Sequence, residues 1–142
     1  MRTVCWLAVC FGCLVACGDH HDGAEGDHHD DDDGHHEDTG EPTGASCPTD
    51  SKLTYQSFGQ AFFADYCVSC HAAKVKGDDR MNAPLDHNFE TLDGIVDELE
   101  HIEVAAAGGP KAINTTMPPA GSKVPSEAER KLLGEWIACG TP

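Results

Sequence analysis

Basic residues are scarce in this chain of 142: nine Lys and Arg stand against 25 Asp and Glu, a formal net charge of −16. Nucleic acid is bound by clustered cations that displace its counterions, so no nucleic-acid partner is expected. Aromatic residues are few, at 6%, and no convincing alternating strand pattern occurs, which leaves an all-α fold. Nor is there a run of about 20 apolar residues able to cross a bilayer as a helix. Residues 18–46 contain no Leu, Ile, Val, Met or aromatic side chain, and eleven carboxylates with no Lys or Arg. Such a segment cannot bury enough apolar surface to offset chain entropy, and a disordered spacer is predicted. As a flexible coil it would span roughly 30 Å.

What the chain does hold is Cys67-Val68-Ser69-Cys70-His71. Two thiols three apart with a histidine directly after them suit covalent haem attachment. At helical pitch positions 67, 70 and 71 share a face. Both sulfurs then reach the two vinyl groups of one porphyrin, and His71 arrives beneath the iron as an axial ligand. The alternatives are a zinc half-site or a redox dithiol. Zinc wants a second ligand pair, and there is no second CxxC. A thioredoxin-like dithiol wants a βαβ pattern, which is missing.

Met1 to Cys17 reads as an export signal, with Arg2 as its positive start and residues 4–16 as its apolar run. Its closing Leu14-Val15-Ala16-Cys17 resembles a bacterial lipobox. That resemblance implies removal of residues 1–16 and a lipid on Cys17, worth about 0.8 kcal/mol per buried methylene. A signal peptide cut elsewhere, or left as an anchor, is the alternative. Of eight cysteines, three leave with the signal, Cys17 takes lipid, and Cys67 and Cys70 take haem. Cys47 and Cys139 remain, and an oxidising compartment favours a disulfide between them over two free thiols. Closing so long a loop contributes roughly 4–5 kcal/mol in the chain-entropy account. In the spacer 17–46, His20-His21, His28-His29 and His35-His36 alternate with carboxylates. Imidazole with carboxylate suits divalent Zn, Ni or Cu, so weak metal binding stands beside the plainer reading of a solvated tether.

Residues 47–142 form the domain, with eight basic and fourteen acidic residues. A first helix is predicted over 54–66, carrying Tyr55, Phe58, Phe62 and Phe63 at three- and four-residue spacing. A middle helix is predicted over 91–107, with Leu92, Ile95, Val96, Leu99 and Ile102 on one face and Gly108-Gly109 ending it. A last helix over 126–139 opens on a Ser126–Glu129 capping box, buries Leu132, Leu133, Trp136 and Ile137, and stops at Gly140. These apolar side chains are thin cover for a domain of that length, so a porphyrin is expected to complete the core.

Over nearly all of residues 55–140 the chain resembles class I c-type cytochromes. In that family a glycine and an aromatic, eight and four residues before the first motif cysteine, cross a leucine–aromatic pair on the last helix; Gly59, Phe63, Leu133 and Trp136 hold those places. The resemblance implies a bundle of three to four helices around one covalent haem c. It also implies a distal methionine followed by proline, which Met117-Pro118-Pro119 matches. Thioether ligation raises the reduction potential relative to two histidines. His87, His101 and Met81 are the competing ligands. The family also places a proline carbonyl against the axial imidazole's other N–H, a role the resemblance gives to the neighbourhood of Pro84. Lys74, Lys76 and Arg80 follow the motif, either as plain surface charge or as a patch that steers an acidic redox partner.

The function expected is electron transfer by an exported, membrane-anchored monohaem cytochrome, periplasmic or on the outer membrane of a bacterium, with redox proteins of unknown identity as partners. No catalytic residue is identified. Two rivals are a haem with an open sixth site that binds gas or peroxide, and a metal-handling lipoprotein that works through its His/Asp tether.

Overall fold

The computed structural model describes residues 40–142. The signal segment 1–16, Cys17 and the histidines at 20, 21, 28, 29, 35 and 36 lie outside the described residues. Among the described residues there are four α-helices: α1 (Gln60–Tyr66), α2 (Leu92–Val96), α3 (Leu99–Ala106) and α4 (Glu127–Ala138). Pairing of β type is confined, among the described residues, to one isolated bridge between Gly108 and Ile113, so the all-α expectation holds.

The first helical segment begins where predicted. Thr54 Oγ1 accepts from Ser57 N–H at 3.0 Å while Ser57 Oγ accepts from Thr54 N–H at 2.9 Å, a reciprocal cap that satisfies two donors at once. Its opening turn, Tyr55–Gly59, is π-helical, with Gly59 N–H reaching back to Thr54 O at 3.2 Å. Gly59 lies beneath Trp136: a Cβ there would stand 2.9 Å from Trp136 Cζ2. The absent side chain is what lets the first and last helical segments meet.

The middle helix departs from its prediction. It is two helices, interrupted at Asp97 and Glu98, with Glu98 at φ −120°, ψ 18°. The apolar spacing continues straight through the interruption, so periodicity is blind to it. Ile95 and Ile102 are buried, but Val96 is 44% exposed. Gly108 and Gly109 are not left-handed stop residues either: α3 ends at Ala106, and Ala107 turns extended at ψ 165°. Their smallness serves packing instead. A Cβ on Gly108 would fall 2.8 Å from Ile113 Cδ1 and one on Gly109 2.6 Å from Thr43 O, while Gly134 in turn leaves room for Gly108 O.

Helix α4 carries both predicted signals. Ser126 and Glu129 form the capping box, and Gly140 sits at φ 79°. Gly140 N–H donates to Ile137 O and Thr141 N–H to Trp136 O, at 2.9 and 3.1 Å, the paired bonds of a Schellman stop. Of its predicted stripe, Leu133 and Trp136 are fully buried while Leu132 is 39% exposed. Arg130 and Gly134 occupy buried positions in its place.

Cys47 and Cys139 are disulfide-bonded across a sequence separation of 92, tying the start of the domain to the end of α4. Residues 40–46, assigned by composition to the spacer, pack on the domain. Thr43 is fully buried, and its N–H and Oγ1 both donate to Glu103 Oε1, at 3.0 and 2.7 Å. Asn114 Nδ2 donates to Glu41 O at 2.8 Å. This docking is polar, so a search for apolar residues does not detect it.

The core comprises Phe62, Phe63, Phe89, Ile95, Ile102, Leu133 and Trp136 with small alanines. Phe63 packs against Trp136 and Phe89 at centroid distances of 6.0 and 5.8 Å. This aromatic wall forms one side of the site.

Candidate haem site

Helix α1 ends at Tyr66, and Cys67 caps it at φ −120°, ψ −46°. The chain makes one further turn: Cys70 N–H and His71 N–H both donate to Cys67 O, at 3.1 and 2.9 Å. The motif therefore lies on a helical turn after a bend rather than within α1. That turn brings Cys67, Cys70 and His71 to one cavity of ≈ 260 Å³, which Met117 also lines. Phe62, Phe63 and Phe89 supply aromatic wall to the same cavity.

Cys67 and Cys70 are free thiols. Burial pushes the Cys67 thiol up to about 12, and the nearby Arg130 charge offsets this only in part. Redox dithiols run the opposite way, with a thiolate stabilised near neutrality. Cys67 is therefore poorly suited to disulfide exchange and well suited to an apolar pocket that receives a ring.

His71 stacks on Phe89 with centroids 4.7 Å apart and an interplanar angle of 21°. Burial holds its imidazole below the usual range; the hydrogen bond to the His87 backbone opposes this, and the charges of His87 and Arg80 add to it. A neutral imidazole is the form that ligates iron. Its Nδ1 lies 3.3 Å from His87 O, which fixes the tautomer and leaves Nε2 for a metal. This corrects the Pro84 expectation, since Pro84 O and Ala83 O accept instead from Arg80 Nε, at 3.2 and 2.9 Å.

Arg80 is not surface charge. It is 3% exposed, and its guanidinium also donates to Ala72 O at 2.8 Å and to His87 O at 3.1 Å. The carbonyl that faces His71 is thus shared with a buried cation. Lys74 and Lys76 are exposed.

Met117 lies in the loop before α4, 37% exposed at the cavity. Its N–H donates to Ala105 O at 2.9 Å. Arg130, 4% exposed, donates through Nη1 to Ala106 O, Asn114 O and Met117 O, each at 2.8 Å. A buried guanidinium on α4 therefore clasps the Met117 loop to the end of α3. The competitors Met81, His87 and His101 line the same cavity, but His87 Nε2 and His101 Nδ1 both turn to Glu98 Oε2, at 3.2 and 2.8 Å.

The residues present fit a covalent haem. Two thiols, one imidazole anchored through its far nitrogen and one thioether converge on an aromatic-walled cavity. Sequence reasoning missed Arg80 and Arg130 as supports. Arg130 did leave a trace, for it stands three residues before Leu133 on the stripe α4 buries, where an unpaired cation is out of place.

A family model described as cytochrome c oxidase, cbb3-type, subunit III matches residues 56–137. No curated protein and no solved structure matches the chain.

Proposed function

Since this chain belongs to the cytochrome c family that the cbb3-type oxidase subunit III description names, we propose that it is a single-haem electron carrier with His71 and Met117 as axial ligands. The family implies covalent haem c and electron transfer rather than catalysis on a substrate. The finer reading attaches the ring at Cys67 and Cys70 and anchors the chain to a membrane by lipid on Cys17, with redox proteins as partners on the extracytoplasmic side. Among the described residues no helix is long and apolar enough to cross a membrane, so in this reading the lipid supplies the attachment.

The observation that carries the proposal is that one cavity receives both motif thiols, His71 and Met117. Haem bound there supplies a one-electron iron couple. The protein's part is to hold two ligands and keep others out. His71 is held by the His87 carbonyl, and Met117 by a loop that Arg130 pins at two carbonyls while bonding a third at the end of α3. His71 and Met117 together would hold the group and leave small molecules no ligand site on its iron, which suits an electron carrier.

The test is the absorption spectrum of protein matured by a haem-attachment system, beside Met117→Ala. A six-coordinate low-spin c-type spectrum, with its weak sulfur-to-iron band lost in the variant, is expected. Rapid carbon monoxide binding by the unaltered reduced protein would overturn methionine ligation and favour an open-site haem. A mass equal to polypeptide plus lipid, with no tetrapyrrole, would overturn haem attachment altogether.

A further inference from the structure

Beside the cavity that holds the motif, three ligating side chains come together where the middle helix breaks. Glu98 occupies the non-helical joint between α2 and α3, His101 lies in the first turn of α3, and His87 comes from the loop that precedes α2. Glu98 Oε2 is 3.2 Å from His87 Nε2 and 2.8 Å from His101 Nδ1. One ligand atom from each of the three lies within 4.8 Å of the others. The His87 and His101 rings stack at a centroid distance of 5.4 Å and 25°.

We propose that His87, Glu98 and His101 bind one borderline divalent transition-metal ion, with Zn²⁺ as the probe. Around a tetrahedral ion with bonds of about 2.0–2.2 Å, neighbouring ligand atoms stand roughly 3.4 Å apart. The two carboxylate–imidazole distances, 3.2 and 2.8 Å, bring both rings to one carboxylate oxygen, and with all three ligand atoms within 4.8 Å of one another a side-chain adjustment would gather them around one ion. Two imidazoles and a carboxylate are the donor set that borderline divalent ions prefer, whereas calcium and magnesium take oxygen. Glu98 and His87 side chains are 17% and 20% exposed, and His101 is 56% exposed. His101 is thus the most accessible of the three ligands. His87 and His101 also line the cavity proposed for haem, so this site borders that one, and the two are told apart by separate readouts. His87 nonetheless joins the two, because its side chain is the metal ligand while its carbonyl faces the imidazole of His71.

The experiment is calorimetric titration of the full chain with Zn²⁺ at pH 7.5. The background is a variant in which His20, His21, His28, His29, His35 and His36 are all replaced by alanine, so that tether binding does not mask the domain. One equivalent should bind in that background, and affinity should fall at least about tenfold in both Glu98→Gln and His101→Ala. Thermal melts of these variants without metal separate a loss of folding from a loss of the site, and the zinc-induced rise in melting temperature expected of the parent should be missing from both. Absence of zinc binding to the tether-substituted chain at millimolar concentration overturns the proposal. So does undiminished binding by His101→Ala. Haem content, read from the absorbance of the same samples, keeps a failure of the cytochrome reading separate from a failure of this one.

Discussion

Replacing Arg130 by methionine should release the Met117 loop before it unfolds the domain. The guanidinium of Arg130 places Nη1 2.8 Å from each of three carbonyls, Ala106, Asn114 and Met117, and Nη1 carries two protons, so at least one bond is shared. Two bonds from a charged donor contribute about 1.5–3 kcal/mol each, set against the cost of burying the cation. Methionine fills similar volume but leaves the carbonyls without a donor, and a net loss of about 2–4 kcal/mol follows. Every 1.4 kcal/mol of this carried by the 114–117 segment raises the population with its sulfur withdrawn about tenfold. Arg130→Lys, a point charge on a flexible stem, should recover part of the loss. Two measurements separate local from global effects: the guanidinium midpoint reports the whole domain, and carbon monoxide binding to the reduced protein reports the distal position. Expected together are a lowered midpoint, faster carbon monoxide binding and a weakened sulfur-to-iron band. A variant that loses stability yet keeps its band and its slow carbon monoxide binding would refute the idea that Arg130 holds the distal ligand. An unchanged midpoint would refute the energetics as well.

Replacing Arg80 by methionine removes a cation that shares the His87 carbonyl with His71; the His71 bond should strengthen, favour ferric iron and lower the potential by about 20–60 mV, where 59 mV is a tenfold change for one electron, and potentiometry showing a rise would contradict it. Gly59→Val drives a side chain into Trp136, with an expected loss of about 1–3 kcal/mol from overpacking, read from a denaturant melt. Reducing the Cys47–Cys139 bond, or replacing both residues by serine, should cost up to roughly 4–5 kcal/mol for a loop with a sequence separation of 92. Glu129 is held below the usual carboxylate range, first by the Ser126 hydroxyl and then by the Ser126 backbone and Tyr66. The unfolded chain therefore takes up the proton first, and the stabilisation is complete above the ordinary value and lost as pH falls through the lowered one. Gln at this position keeps a capping-box acceptor but not the charge, so the small stability gap between the parent and Glu129→Gln, about 0.3–1 kcal/mol for an acidic side chain in an exposed first turn, should narrow from pH 6 to pH 3 in urea melts.

Ends of helices were legible in the sequence because caps are local chemistry. Ser126 and Gly140 act within three or four residues of themselves, and each does what its residue type implies; Thr54 caps the first segment in the same way, a role the helix bounds alone did not name. The crossing of Gly59 and Trp136 was legible through the family resemblance, and the geometry gives its reason in a Cβ that has no room. The interruption at Glu98 was not legible, because the apolar positions keep helical phase on both sides of it. Gly108-Gly109 misled for a related reason: a glycine pair after an apolar run signals a stop, yet here it answers Gly134 across the chain, a long-range contact that spacing does not encode. Polar docking of residues 40–46 by Glu103 and Asn114 is likewise invisible to a hydrophobic pattern.

The two buried arginines divide the proposed ligand set between them. Arg80 gathers the carbonyls around the His71 loop, and Arg130 gathers those around the Met117 loop. Neither has a carboxylate within ion-pair distance among the described residues, where the ion pairs belong to Glu98, Lys123 and Lys131. A domain with few apolar side chains has long irregular loops, and loop carbonyls buried beside a cofactor need donors. One guanidinium satisfies several at once, where a chain of backbone donors would require a regular element. The cost is a desolvated positive charge on each side of the site. That charge opposes the extra positive charge of ferric iron, and so pushes the potential in the same direction as thioether ligation. Substituting either arginine should therefore lower the potential, Arg80 through its shared carbonyl and Arg130 through its charge even where Met117 stays bound. If Arg130→Lys, which keeps the charge, lowered the potential as much as Arg130→Met with the sulfur still ligated, the electrostatic part of this account would be wrong.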